Sequence, residues 1–243
     1  MIVASAKIES CFLAVVGLFL LLLPGGCANG GSGTELAVRP VPRALEGVDG
    51  ETIRLPQDEP FSIALRPLRE APGLTGGADA DAHVSRDGNA DAFARVENGG
   101  SAQAVFQLGH AFQNDSDRQM ELNVRLRCAY EVAAGATPPS PFPRAKVDLR
   151  LCARGRSNRL LRNLNLAHHS TEEGAAASTD QKDVRFMLIL SPHESVSIFV
   201  AGTVTAETRE EQSAEGSIEL SGLEMEVQTK LAPPVRSADN EQG

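Results

Sequence analysis

Tryptophan is absent from the chain and tyrosine occurs once, at Tyr130, beside nine phenylalanines. Recognition of neutral glycans by ring stacking is therefore disfavoured, since most of the phenylalanines fall on positions patterned as core. Lysine is nearly as scarce, with four residues against nineteen arginines. The formal net charge of −9 argues against a general nucleic-acid role, which needs a surplus of cations. Catalytic signatures are missing as well. There is no Gly-x-Ser-x-Gly elbow, no phosphate-cradling glycine loop and no His-Glu-x-x-His. No enzyme activity and no cofactor are expected.

No apolar run reaches the roughly 20 residues that a membrane-spanning helix needs. The longest, from Cys11 to Leu23, has thirteen residues and suits the core of an export signal. It ends in "LLLLPGGCANGGSG". The Leu20–Leu23 run, the small Gly25 and Gly26, and Cys27 resemble the lipobox of bacterial lipoproteins. The resemblance implies that Cys27 is acylated on sulfur and becomes a membrane-anchored N-terminus. Asn29, following Ala28, then implies sorting to the outer membrane. Pro24 departs from the Leu, Val or Ile usual in that family. The alternatives are ordinary signal-peptidase cleavage after Ala28, which discards Cys27 and leaves a secreted or periplasmic protein, and an uncleaved anchor. The expected organisation is a signal peptide over 1–27, a flexible tether over 28–50, an irregular segment over 51–78, a β domain over 79–231 and a tail over 232–243. Within the irregular segment, "TIRL" (52–55) and "FSIALR" (61–66) read as short strands, and "LREAPGLTGGADAD" reads as a loop.

From residue 80 the apolar positions alternate. Ala80, Ala82, Val84, Ala90, Ala92, Ala94 and Val96 are all even, and Asp81, His83, Asp91, Arg95 and Glu97 lie between them. A period of two marks a strand with one buried face. A three-residue loop at Asp87-Gly88-Asn89 would pair Ala82 with Ala94 and place Asp81 opposite Arg95. Continued hairpins through Asn98-Gly-Gly100 and Asn114–Arg118 would pair Ala92 with Phe106, and Phe112 with Met120. Even residues then stay on one face through four strands. Val147, Leu149 and Leu151 alternate on odd positions, and Val196, Ile198 and Val200 on even ones. "RFMLIL" (185–190) is apolar on both parities, as a central strand is. The parity flips across Ser221-Gly222, which predicts a β-bulge. "SNRLLRNLNLAHH" fits a short helix as well as a strand. The list predicts an all-β fold, an antiparallel β-sandwich of about eight strands. The closing segments "LSPHESVSIFVAGTV" and "GSIELSGLEMEV" loosely resemble those of exported bacterial sandwich domains such as the ones in PEP-CTERM proteins. The hydrophobic C-terminal sorting segment of that group is lacking in "LAPPVRSADNEQG".

His168-His169 followed by Glu172-Glu173 offers metal-ligating types. Adjacent residues on extended chain point opposite ways, so a solvated polar loop is the better reading, and no metal is expected. His110 falls on the apolar face and reads as a hydrogen-bonded core histidine. Asp87, Asn89 and Asp91 have the spacing of a calcium loop. Ala92 and Asn98 stand where its Gly and Glu belong, so a hairpin turn explains them better. Asn114-Asp-Ser116 matches a glycosylation sequon, discounted in a chain with a bacterial signal. Cys128 and Cys152 are the thiols of the mature domain, and export favours a disulfide between them. Parity opposes it, placing Cys128 inward and Cys152 outward.

The most informative feature is charge. Residues 118–162 carry ten cations against Glu121, Glu131 and Asp148, a local net of +7, and the remaining residues sum to −16. If the strands around 125 and 150 pair, Arg125, Arg127, Lys146 and Arg150 share one outer face, continued by Arg154 and Arg156. Like charges opposed in a sheet repel unless acids, water or a bound anion intervene. Guanidinium groups suit carboxylate and phosphate. The expected function is a non-catalytic, lipid-anchored envelope module for interaction or structure. The alternative is a module that binds an anionic glycan, a lipid headgroup or an acidic protein through this face. The acidic "ETREEQSAEG" (207–216) is an internal candidate for the same cations. Expected partners are the membrane, through the lipid, and an anionic envelope component, with no nucleic acid.

Overall fold

The computed structural model of the chain describes residues 40–74, 76–138, 142–174 and 176–232. The signal peptide with Cys27, most of the tether and nearly all of the tail lie outside the described residues. Those described form an all-β sandwich of thirteen strands, nine of them between 77 and 231, where the periodicity predicts about eight. Helical structure among them is limited to two three-residue 3-10 turns, Arg156–Asn158 and Thr171–Glu173.

Four short strands come first: β1 (Arg43–Leu45), β2 (Thr52–Leu55), β3 (Ile63–Leu65) and β4 (Leu68–Pro72). Two of them match "TIRL" and "FSIALR". The segment opening "LREAP", expected as loop, is β4 instead. It adds to the free edge of a long strand, which supplies the backbone partners its own composition does not signal.

The long strands are β5 (Gly77–Ser85), β6 (Asn89–Glu97), β7 (Gly100–Asn114), β8 (Met120–Thr137), β9 (Arg144–Gly155), β10 (Leu160–Ser170), β11 (Ala176–Leu190), β12 (Ser195–Thr208) and β13 (Ser213–Leu231). One sheet runs β1-β7-β12-β9-β10, with β3 and β4 also along the outer edge of β7. We call it the first sheet. The second runs β11-β8-β13-β6-β5, with β2 continuing β6's side of β13. The orders β7-β12-β9-β10 and β6-β13-β8-β11 are those of a jelly roll, in which the chain repeatedly crosses between sheets.

This winding corrects the expected hairpins. β6 and β7, β7 and β8, and β8 and β9 lie in different sheets and do not pair. Parity survives because even residues of β6, β7 and β8 face the same interior from either side. Ala92, Phe106 and Val124 are all buried in one core. The single true hairpin of the series, β5–β6, is shifted by two residues: Ala82 faces Ala92, and Asp81 faces Phe93. Its loop is Arg86-Asp87-Gly88, with Gly88 at φ +108°. A side chain there would also meet the Leu223 carbonyl oxygen at 2.6 Å. The predicted bulge is present: pairing of β13 with β8 slips by one residue between Ser221 and Glu224, and Gly222 has φ +59°. The bulge docks on the β5–β6 turn through Leu223 N–H to Gly88 O at 2.8 Å.

"RFMLIL" belongs to β11, an edge strand and not a central one. Phe186, Leu188 and Leu190 are buried, whereas Met187 and Ile189 are 53% and 50% exposed on the outer face. "SNRLLRNLNLAHH" is mainly strand β10, and His168 and His169 sit in it, not in a loop.

Candidate functional site

A sandwich exposes two outer faces, and here they differ in charge. On the second sheet the outward positions hold Asp79, Asp81, Asp91, Glu97, Glu121, Glu131, Asp183, Glu215, Glu219, Glu224 and Glu226. They meet six cations, Arg54, Arg95, Arg125, Arg127, Arg185 and Lys230. On the first sheet the outward positions hold Arg69, Arg144, Lys146, Arg150 and Arg154 against Asp148 and Glu207. The acidic chain is therefore charge-segregated across its two faces.

The expected single cationic surface is divided by this arrangement. It required β8 beside β9, and the two belong to opposite sheets. Arg125 and Arg127 lie on the acidic face and are neutralised there. Arg125 Nε donates to Asp183 Oδ1 at 3.0 Å, and this hydrogen bond holds the Asp183 carboxyl below the usual carboxylate range. Arg127 reaches Glu224 at 2.8 Å. Lys146, Arg150 and Arg154 remain together on the other face, along β9. Arg156 lies in the 3-10 turn beyond its end. Glu207, from the acidic segment, faces Arg144 across β12 and β9.

The β9 row is built by alternation. Val147, Leu149, Leu151 and Ala153 point into the core, so Lys146, Asp148, Arg150, Cys152 and Arg154 point out. Asp148 is the hub, with 15% of its side chain exposed. Its Oδ1 lies 2.8 Å from His168 Nδ1 and 3.2 Å from Arg150, and its Oδ2 lies 3.4 Å from Lys146. Burial pushes its carboxyl up. The His168 hydrogen bond, Lys146 and Arg150 together outweigh that and hold it below the ordinary value. His168 comes from β10, which lies opposite Asp148 across a bulge. Arg154 is fixed apart from this group. Its Nη1 donates to Asn158 Oδ1 at 2.7 Å, and its guanidinium sits 5.8 Å from the centre of the Phe199 ring. The Nε atoms of Arg150 and Arg154 are buried without a partner, so contact with a ligand falls to their terminal nitrogens.

An apolar floor of buried residues on the outer side of the sheet, Cys152, Phe199, Ala111 and Ile63, runs from β9 across β12 and β7 to β3. Phe199 is 5% exposed, so it offers no stacking platform. It stands opposite Gly109, where a Cβ would come within 2.6 Å of its own. Outward positions carry Thr203 and Thr205 on β12, beside β9, and Gln103 and Gln107 on β7, one strand further away. No acid occupies an outward position of β7, or of β12 from 195 to 205.

The remaining expected residues are structural. Cys128 faces the core and Cys152 the outer floor, so the two lie on opposite sides of the first sheet and both are free thiols. Burial pushes the Cys128 thiol up to about 11. His110 is 3% exposed, and its Nδ1 accepts from the Ser62 N–H at 3.2 Å. His169 points away from His168, with Nε2 2.7 Å from Ser178 Oγ. Among the described residues no group of three or more His, Cys, Asp or Glu is arranged to hold a metal. The sequon residue Asn114 is completely buried, which leaves no room for a glycan.

The Asp148–His168 contact is what sequence reasoning missed. Its one visible signal was an acid at outward parity between two cations. The partner came from the segment that read equally as helix.

No family model and no curated protein matches the chain. Among solved structures it is similar to the arabinose-bound α-L-arabinofuranosidase MgGH51, with 11% identity and a TM-score of 0.24. That match covers 79% of this chain and 31% of that one, so the chain spans about a third of the larger protein. It is also similar to the CBM22-1 xylan-binding domain from Paenibacillus barcinonensis Xyn10C, with 10% identity and a TM-score of 0.18, covering 75% of this chain and 96% of that one. Neither likeness says what this chain binds.

Proposed function

We propose that the chain is an exported, non-catalytic module of the bacterial cell envelope, anchored through a lipid on Cys27. Its sandwich acts as an interaction or structural module. The export signal and the lipobox-like residues support the location. Among the described residues no helix is long and apolar enough to cross a membrane. Mass analysis of the mature N-terminus tests the anchor: an acylated Cys27 is expected, and an unmodified Asn29 as first residue would refute it.

A more specific reading, binding of an anionic envelope component, is favoured by one observation. Lys146, Arg150 and Arg154 project from β9 onto a face where the outward positions of β7, and of β12 from 195 to 205, carry no acid. Cations in excess of the one acid among them, Asp148, suit carboxylate, sulfate or phosphate groups. Retention on a polyanionic matrix should be salt-sensitive and should drop in R150E. Retention equal to that of an uncharged matrix would refute this reading.

A further inference from the structure

Apart from Arg144, which pairs with Glu172 at 2.9 Å, the cations on β9 form two posts and not one cluster. Lys146 and Arg150 converge with His168 on Asp148. Arg154 is held separately by Asn158 and the Phe199 ring. The nearest cations of the two posts, Arg150 and Arg154, are four residues apart, about 14 Å along an extended strand at roughly 3.4 Å per residue. On β9 only Cys152 points outward between them, and the Phe199 ring that holds Arg154 stands opposite it. A compact anion reaches one post only. An elongated ligand with repeated negative groups reaches both.

The composition beside the posts narrows the class further. β12 is a central strand whose backbone groups are paired on both sides, with β7 and with β9. A peptide laid over it finds no free backbone donor or acceptor there, and capture by strand addition is confined to the β10 edge on the far side of β9. Thr203 and Thr205 on β12, beside Asp148 and Lys146 of the first post, and Gln103 and Gln107 one strand further out on β7 instead offer side-chain donors and acceptors that match a hydroxyl-rich chain. From the two posts and this polar margin we infer that the ligand is a linear acidic polysaccharide, bearing carboxylate or sulfate groups, that lies along β9. The inference rests on the anion-binding reading and specifies the ligand of the same face.

The test uses the full chain in detergent and four probes: inorganic sulfate, a disaccharide and an octasaccharide of one sulfated, uronate-bearing glycan, and poly-glutamate. The octasaccharide should bind at least about tenfold more tightly than the disaccharide, since the second post adds an intramolecular contact. R154E should abolish that gain while leaving disaccharide binding in place. R150E should weaken both ligands, and R127E, on the opposite face, neither. R154Q and R150Q, checked for unchanged circular dichroism, separate charge reversal from misfolding and should show the same ranking. Equal affinities for disaccharide and octasaccharide, or an octasaccharide gain that survives both Arg154 variants, would overturn the two-post inference with the anion reading intact. Poly-glutamate binding as tightly as the octasaccharide would overturn the saccharide assignment. No binding of any probe at low salt would overturn the anion reading itself.

Discussion

Asn114 is the residue whose replacement should reveal most about how the sandwich is held together. Its side chain is fully buried at the end of β7. Its Nδ2 donates to the carbonyl oxygens of Arg118 at 2.7 Å and Ser191 at 3.0 Å. Its Oδ1 accepts from Ser116 N–H at 3.1 Å and Ser116 Oγ–H at 2.7 Å. One amide thus ties the turn after β7 to the turn after β11, across the two sheets. A hydrogen bond contributes about 0.5–1.5 kcal/mol net, and an orphaned buried group costs about 1–3 kcal/mol. Asn114→Ala should therefore cost about 3 kcal/mol, a large part of the 5–15 kcal/mol typical of a domain. With a urea slope of about 2 kcal/mol/M, the midpoint should fall by about 1.5 M. Asn114→Asp is the sharper probe. It keeps the acceptor for Ser116 but turns a second oxygen toward two carbonyls, and it buries an uncompensated charge. Its loss should exceed that of Asn114→Ala at neutral pH. Burial raises the folded pKa of the new carboxyl above its unfolded value, so the folded state binds the extra proton. The deficit should therefore shrink as pH falls through the raised folded pKa. Losses under about 1 kcal/mol in both variants, or a deficit in Asn114→Asp that ignores pH, would refute the amide network.

Two further predictions follow from packing and burial. A Cβ at Gly202 would lie 2.2 Å from the Phe106 ring in the core, so Gly202→Ala should destabilise by about 1–3 kcal/mol, read as a lowered urea midpoint at unchanged slope; a neutral result would mean the ring is not seated there. Burial lowers the pKa of His110 below its ordinary 6.5, with Glu59 opposing and Arg43 assisting. The unfolded chain then binds the proton more readily. The stability this residue carries is complete above the ordinary value and declines as pH drops below it, with a slope of at most about 1.4 kcal/mol per pH unit. His110→Gln should flatten that slope in urea melts across the same range; a slope unchanged by the substitution would assign it to other groups.

The fold class was legible because side-chain alternation is local. Ala82, Phe106 and Val124 declare their inward side from immediate neighbours, and the bulge at Ser221-Gly222 announces itself by a local change of parity. Strand partnership was not legible for the same reason. A hairpin and a crossover to the facing sheet leave the same parity, so β8 beside β9 and β8 facing β9 look identical in sequence. That ambiguity decided the candidate site. It joined Arg125 and Arg127 to Lys146 and Arg150, whereas the jelly roll separates them by the whole core and neutralises the first pair with Asp183 and Glu224. The apolar Met187 and Ile189 misled in a related way. Hydrophobicity on both faces of a strand signals a central position only when both faces are covered, and the outer face of β11 is open. The hub at Asp148 needed the pairing of β10 with β9 across a bulge, which no local pattern specifies.

The most direct measurement is amide hydrogen exchange of the protein with and without a long acidic polysaccharide. Bound ligand should slow exchange in the exposed turn at Arg156–Arg159 and along edge strand β10 opposite Asp148, while the β5–β6 turn and β11 on the acidic side keep their free-state rates. Protection confined to the second sheet, or spread evenly over both, would contradict the assignment of binding to the β9 face.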